Sequence, residues 1–285
     1  MEILLTSFII GISYGFILFL LGTGLSLTMG LMKIVNLSHG AIYMVGAYVG
    51  LTAARYTQNF LLGVLAGGLS AGLLGMFMEV GFLRRLYKRN MDQALLTIGF
   101  VYVLINTVQW IWGPLPQTKY IPSALSNSIP IANMKIPVFR LVTIGVGIVA
   151  AVGLWLFQEK TRIGAIIRAG MDNQEMTRGL GIRLPVIFTG VFAFGAFVAG
   201  SCSLFGTQSL GISLDLGWDV LLLSMMVVVI GGIGSIQGAL VGGLLIGLAE
   251  TFGKVFFPDL AYFTMYALLI IVLLVRPSGL LGRPA

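Results

Sequence analysis

Residues 3–32 read ILLTSFIIGISYGFILFLLGTGLSLTMGLM, an unbroken stretch without one Asp, Glu, Lys or Arg. A bilayer core is ~30 Å thick and takes about 20 apolar residues of helix to cross, so this stretch is long enough to span. Charge-free runs of the same kind follow at 34–54, 56–78, 93–118, 141–158, 184–214, 220–249 and 260–275. In lipid only helices and closed barrels satisfy every backbone group, and barrel strands would alternate apolar and polar residues. These runs are continuous. The expected fold is therefore an all-α, polytopic transmembrane helical bundle of about eight apolar segments, one membrane domain over residues 1–285. Composition agrees, with 58% hydrophobic and 9% charged residues and a mean hydropathy of +1.00. A soluble surface carries about 25% charged residues.

The formal net charge is +7, yet the basic residues sit between apolar runs, which suits cytoplasmic loops rather than a nucleic-acid partner. The densest stretch is Arg84, Arg85, Lys88 and Arg89. A second covers residues 159–183, with Lys160, Arg162, Arg168, Arg178 and Arg183, and Arg276 and Arg283 mark the C-terminal end. The positive-inside rule places all three in the cytoplasm. Residues 114–137, holding Pro114, Pro116, Pro122, Pro130 and Pro137, then form an external loop expected to lack helix. Lys119, Lys135 and Arg140 weaken the charge bias there. Glu2 and the length of the first run argue against a cleaved leader. Cys202, the one cysteine, lies inside an apolar run, where small-residue packing is the expected role.

Parity locates a break. An even number of crossings must join the 159–183 loop to a cytoplasmic C-terminus, and the last three runs give an odd number. The conflict disappears if 220–249 enters and returns, broken at Gly231-Gly232-Ile233-Gly234-Ser235-Ile236-Gln237-Gly238. Each arm would then be about a dozen residues, a re-entrant or broken-helix pair. A similar polar break follows the first run at Asn36-Leu37-Ser38-His39-Gly40. The two breaks suggest an internal repeat of the kind transporters use; equally, Gly-Ala is common at helix starts in membrane proteins. Asn36, Ser38, His39, Ser235 and Gln237 are thus translocation-path candidates. The alternative for His39 is a neutral imidazole bonding free carbonyls at the break.

Glycines four apart, at Gly11/Gly15, Gly46/Gly50, Gly63/Gly67, Gly68/Gly72 and Gly243/Gly247, predict close helix contacts. In the 159–183 loop, Thr161 is placed to cap a short helix carrying Ile163, Ile166 and Ile167 on one side. Asp172 with Glu175 predicts a capping box for a second helix, with Gly179 or Gly181 as its stop. Such a pair suits either a docking element for a cytoplasmic partner or an ordinary solvated loop. Glu79 is expected to snorkel or to pair with Arg84, and Glu250 to sit at the outer interface. Asp215 and Asp219 flank an external turn, and Trp110, Trp112, Trp155 and Trp218 fall near run ends as interfacial anchors. No nucleophile with a base and no metal-ligand cluster stands out.

Several stretches together resemble the LivH-type permeases of branched-chain amino acid ATP-binding-cassette importers. They are Gly24-Leu25-Ser26-Leu27 with Asn36 to Gly40 and Gly46-Ala47-Tyr48; Gly164-Ala165-Ile166-Ile167-Arg168-Ala169 with Gly179-Leu180-Gly181-Ile182; Val229 through Ala239; and Arg276-Pro277-Ser278-Gly279-Leu280-Leu281-Gly282. The resemblance implies a bacterial inner-membrane subunit that moves a small polar solute. Its implied partners are a second permease subunit, two cytoplasmic ATPase subunits and a periplasmic substrate-binding protein. It also implies that 159–183 is the ATPase-coupling loop, with Thr161, Gly164, Ile167, Arg168, Asp172, Glu175 and Gly181 as its working residues. The chain has no Gly-x-x-x-x-Gly-Lys-Ser/Thr loop, so ATP-Mg is expected on the partner ATPases and no cofactor on this chain. The rival readings are an ion-coupled secondary transporter and a passive channel. Charge-free span interiors argue against the first.

Overall fold

The computed structural model describes residues 2–87, 89–131 and 134–282. Lys88 and Arg283, counted above among the basic stretches, lie outside the described residues. The elements are α1 (Glu2–Met32), α2 (His39–Thr57), α3 (Phe60–Gly81), α4 (Asn90–Trp112), β1 (Ser128–Ile131), β2 (Met134–Pro137), α5 (Val138–Lys160), α6 (Arg162–Asp172), α7 (Gln174–Gly179), α8 (Leu184–Leu210), α9 (Leu216–Gly231), α10 (Ile236–Phe256) and α11 (Ala261–Val275). Among the described residues, α1, α3, α4, α5, α8 and α10 are long and apolar enough to cross a membrane, and two further apolar helices are shorter.

The run 220–249 divides as expected, but its arms are longer than a dozen residues. α9 has 16 residues and α10 has 21. The reason is that both helices continue through charged positions, Asp219 in α9 and Glu250 and Lys254 in α10, which line a cleft instead of facing lipid. Four helices, α8 to α11, therefore follow the 159–183 loop, and the parity closes. The loop at 114–137 also departs from expectation. It contains a 3₁₀ turn at Ser123–Leu125 and an antiparallel hairpin, β1 with β2, in which Ile129 pairs with Ile136. The backbone N–H of Gln117 donates to Ile212 (2.9 Å), Lys119 to the Gln208 carbonyl (2.7 Å) and Arg140 to Ser209 Oγ (2.8 Å). Lys119 and Arg140 are thus committed to the last turn of α8. Local carbonyl bonding explains why these cations stand at the end opposite the main basic stretches.

Helices in lipid gain little from burying large apolar side chains against one another, and close backbone approach at small residues takes over. α3 displays the pattern plainly: Gly63, Gly67, Gly68 and Gly75 face the bundle while Leu65, Leu69, Leu73 and Phe77 stay exposed. Four of the five predicted glycine pairs meet one another, and Gly68/Gly72 packs instead against Phe197 of α8. A methyl on Gly15 would stand 2.8 Å from Leu244 Cα, and one on Gly247 2.5 Å from the Gly15 nitrogen, so α1 and α10 touch backbone to backbone. Gly46 of α2 would clash with Gly200 Cα at 2.7 Å, and Gly67 of α3 with the Gly46 carbonyl oxygen at 2.7 Å. α2, α3 and α8 share that junction. Cys202 is buried in the same helix, its thiol donating to the Ala199 carbonyl at 3.2 Å.

Two substitutions separate packing from propensity. Gly46→Ala is expected to lower the unfolding temperature of the purified chain, as overpacking costs about 1–3 kcal/mol. Gly99→Ala, in α4 with nothing within 4 Å of the added methyl, is expected to raise it, since Gly in a helix costs roughly 0.5–1 kcal/mol against Ala. Thermal unfolding in detergent of both variants reads the opposite signs directly.

Candidate functional site

The 159–183 segment folds as two short helices set across the end of the bundle. Thr161 caps α6 as predicted, its Oγ1 accepting from the Gly164 N–H at 3.0 Å. Gly164 is required by contact: a Cβ there would stand 2.2 Å from the Gln158 carbonyl oxygen. That absence lets α6 turn tightly against the last turn of α5. Arg168 completes the corner, donating to the Gln158 carbonyl and pairing with Glu159 at 3.4 Å. A cation on the free carbonyls of a helix C-terminus is favoured by both hydrogen bonding and the helix dipole.

The buried side of α6 is Gly164, Ile167 and Gly170 rather than the predicted isoleucine trio; Ile163 is exposed. The capping box is also displaced. α6 runs through Asp172, so the chain leaves helical geometry only at Asn173, whose Oδ1 accepts from the Met176 N–H at 3.0 Å. Glu175 then stands one position too early to close a reciprocal bond and is exposed in the first turn of α7. Gly181, at φ +80, provides the left-handed stop just after α7.

Both helix breaks are built around backbone groups that need partners. At the first, Asn36 Oδ1 accepts from the Ser38 N–H (3.1 Å) and hydroxyl (2.6 Å), and the Leu37 N–H donates to Thr97 Oγ1 at 3.3 Å. His39 is fully buried with Nε2 at 3.1 Å from the Leu21 carbonyl, so this nitrogen carries the proton and donates. Leu21 lies about three turns before the end of α1, which means residues 33–38 re-enter the bundle beside it. At the second break, Gly232 and Gly234 take φ +101 and +81, and Ser235 accepts from the Gly238 N–H at 2.9 Å. The C-terminal tail then supplies donors to the end of α9: Leu280 N–H to Ile230 O (2.8 Å) and Leu281 N–H to Gly231 O (3.0 Å). The two breaks are thus different constructions, one capped from within the chain turn and one clasped by the tail.

These parts converge. One open cleft is bordered by Lys33 and Val35 of the first break, Arg168 and Asp172 of α6, and Ser235 and Gln237 of the second break. Gln174 Nε2 donates to the Leu31 carbonyl at 2.7 Å, and Met171 packs on Gly30 and Gly234. The predicted path residues therefore separate. Ser235 and Gln237 line this cleft beside the short helices, whereas Asn36, Ser38 and His39 are buried in protein.

At the same end, Glu79 of α3 is fully buried, 3.4 Å from Arg84, and accepts from the Tyr87 and Thr189 hydroxyls. It pairs with Arg84 as read but does not snorkel. Burial, then the bond to Glu79, pushes the Tyr87 hydroxyl pKa up and keeps it a donor. The Arg84 turn is thereby pinned to the start of α8, so the 84–89 stretch lies at the same end as residues 159–183.

Residues 7–273 match the family model described as the branched-chain amino acid transport system permease component. The chain belongs to that permease family. It is 31% identical to the high-affinity branched-chain amino acid transport system permease protein BraD of Pseudomonas aeruginosa, across 96% of this chain and 94% of that one. It is 27% identical to the corresponding LivH protein of Escherichia coli K12, across 96% and 94%. PsaBC from Streptococcus pneumoniae, solved in complex with a Fab, superposes with a TM-score of 0.50 at 14% identity, covering 97% of this chain and 91% of that one. That likeness concerns the fold. The permease is a multi-pass membrane protein and a transport subunit.

The charged residues that bound the run 220–249 stand within helix ends, Asp219 in the first turn of α9 and Glu250 and Lys254 in the last two turns of α10. Asp219, Glu250 and Lys254 line a second cleft with Tyr14 of α1 and Arg140 of α5, at the end holding the hairpin. Glu250, expected at the outer interface, is only 8% exposed and lines this cleft at the hairpin end. Within the sequence, only the four-residue spacing of Glu250 and Lys254 hinted at this site; the other members come from three separate helices. Of the tryptophans, Trp110 is exposed as an anchor should be, while the Trp112 ring N–H donates to Thr52 Oγ1 at 2.8 Å.

Glu79→Ala should remove the acceptor of the buried Tyr87 and Thr189 hydroxyls and the ion partner of the half-exposed Arg84, costing about 1–3 kcal/mol. Glu79→Gln, which still accepts from Thr189 and Tyr87, should cost less. Denaturation in detergent distinguishes the two, and equal losses would remove the ion pair from the account.

Proposed function

We propose that this chain is the membrane-spanning permease of an ATP-driven importer in the bacterial inner membrane, acting as one membrane domain. Its solute is a branched-chain amino acid or a related small amide, urea or organic acid. A periplasmic binding protein delivers that solute, a second permease subunit completes the passage, and two cytoplasmic ATPase subunits bind and hydrolyse ATP-Mg. Family membership and the names carried by the relatives support the substrate class and the partners.

The observation carrying the coupling role is the construction of α6 and α7. Their inner side is fixed to α5, α1 and the second break through Arg168, Gln174 and Met171. Their outer side presents Ile163, Met176 and Leu180, all exposed. Large apolar side chains on a charged loop beyond the bilayer are what a protein partner would cover. A push on that face is passed to the end of α1 and to residues 233–237 through contacts with little slack. Asp172 and Glu175 add acidic rim positions, and Thr161, Gly164, Ile167 and Gly181 hold the two helices in place.

The test is co-purification of the tagged permease with its ATPase subunits. Met176→Asp with Leu180→Asp is expected to reduce ATPase recovery at least tenfold while leaving the unfolding temperature of the permease unchanged, because both side chains are exposed. Gly164→Trp and Arg168→Glu should lose the ATPase as well, with some loss of stability. Undiminished ATPase binding in all of these variants would move the coupling surface elsewhere. Solute accumulation by the chain alone on an ion gradient would replace the importer with a secondary transporter.

A further inference from the structure

We infer that residues 276–282 form a strap that fixes the angle between α9 and α10 at the second break, and that this fixed angle couples ATP hydrolysis to movement of solute. The inference rests on the importer reading above. It assigns a positioning role to the stretch Arg276-Pro277-Ser278-Gly279-Leu280-Leu281-Gly282.

Pro277 follows the end of α11, where a residue without an N–H cannot continue the helix. The chain turns at once, the Gly279 N–H donating to the Arg276 carbonyl at 3.0 Å. Leu280 and Leu281 then lie against the end of α9 and donate to the Ile230 and Gly231 carbonyls, which a helix end leaves without intrahelical partners. The crossing is backbone on backbone. A Cβ on Gly279 would stand 2.6 Å from the Gly232 nitrogen, and one on Gly232 would stand 2.3 Å from the Gly282 nitrogen. Gly279 and Gly232 both take left-handed conformations, at φ +83 and +101. The two leucines divide their roles: Leu280 packs on the core, and Leu281 borders the cleft that Ser235, Gln237 and Arg168 also line.

This contact closes a circuit. α10 leaves the break, and α11 returns along it, with Thr264 Oγ1 donating to the Ala249 carbonyl at 3.2 Å. The strap then ties the end of α11 to the end of α9. Gly232 and Gly234 alone would allow α9 and α10 many relative angles, since glycine enters left-handed backbone at no steric cost. Two strap bonds and the glycine crossing hold one of those angles. On its other side the break is held by α1, through Ser26 Oγ on the Gly234 N–H and through Gly30. Leu31 of α1 accepts from Gln174 of α7, so a displacement of α6 and α7 reaches the break from the α1 side. With the strap in place the break is gripped from both sides, and the displacement passes on to α10. With the strap released, the glycines absorb it locally. The outer face of α6 and α7 lies outside this circuit, so releasing the strap spares ATPase docking and hydrolysis.

The experiment uses the assembled transporter with three strap variants. Leu281→Pro removes the N–H given to Gly231, and Leu281→Ala keeps it as the conservative control. Gly279→Ala sets a methyl against Gly232 and tests the crossing independently. Hydrogen exchange in nanodiscs reads the amides of Gly232, Gly234 and Gly238, each bonded in the intact break. Their exchange should rise roughly tenfold in Leu281→Pro and Gly279→Ala, with α3 and α8 still protected, and stay at the wild-type rate in Leu281→Ala. In proteoliposomes with saturating binding protein, branched-chain amino acid taken up per ATP hydrolysed should fall roughly tenfold in the same two variants, while the ATPase subunits co-purify and hydrolyse as in wild type. Unchanged exchange at the break in both variants would show that the strap does not hold it, and the inference falls. Exchange rising through the whole bundle, or loss of the ATPase subunits, would make residues 276–282 a folding element and also overturn it. A loosened break with normal uptake per ATP overturns the coupling role while the importer reading stands. If the wild-type assembly takes up no branched-chain amino acid, the importer reading for that substrate class fails and the coupling role fails with it.

Discussion

Backbone-to-backbone contact at glycine is the constraint on which the rest of this permease depends. α1 meets α10 through Gly11, Gly15, Gly243 and Gly247, and α2, α3 and α8 meet through Gly46, Gly63, Gly67 and Gly200. At each of these positions a single added methyl would come closer than 3.0 Å to a neighbouring atom. In lipid, large apolar residues gain little by turning inward. α3 accordingly places its glycines inside and leaves Leu65, Leu69, Leu73 and Phe77 outside. Close approach also brings carbonyls and N–H groups of different helices within reach, which is what makes broken helices tolerable at this depth.

The breaks exploit that closeness. Residues 33–38 abandon helical bonding, and the Leu37 and Ser38 N–H groups recover it from Thr97 Oγ1 and Asn36 Oδ1. At the second break Ser26 accepts from the Gly234 N–H, Ser235 caps the Gly238 N–H, and the C-terminal tail donates to the carbonyls of Ile230 and Gly231. Because Ser26 and Gly30 of α1 touch Gly234, while Leu31 accepts from Gln174 of α7, the end of α1 is shared by the second break and the two short helices. No rearrangement of α6 and α7 leaves residues 233–237 unaffected unless those bonds break.

Much of this was legible before any coordinates. Charge-free runs located the helices, parity demanded the break near Gly232, and the five glycine pairs marked the right faces. What the runs could not supply was the partner of each face: nothing in Gly11/Gly15 says that Gly243/Gly247 will meet it. Cap assignment failed at Asp172 because two adjacent residues, Asp172 and Asn173, both have capping side chains, and the end of α6 decides between them. The larger omission was the charged cleft. Counting runs treats every charged residue as a boundary, so Asp219 was read as flanking an external turn and Glu250 as interfacial. Both stand within helices and line one cleft with Lys254 and Tyr14, a grouping that exists only after the helices assemble. His39 does bond a carbonyl, as the alternative reading had it, but that carbonyl belongs to Leu21 inside α1 and not to the break itself.

The two clefts also set a geometric condition on transport. α1 and α10 border both: α1 through Tyr14 at one end and Gly30 and Lys33 at the other, and α10 through Glu250 and through Gln237. Between these levels the two helices are in glycine contact at Gly15 and Gly243. A solute passing from one cleft to the other along these helices therefore requires them to move relative to each other. That seam is backbone at Gly15, Gly243 and Gly247, with the Leu244 and Leu248 side chains seated on Gly15 and Gly11. The helices it joins are those to which α7 and the second break are bonded, so the contact at the centre of the bundle and the contacts at its end share the same two elements.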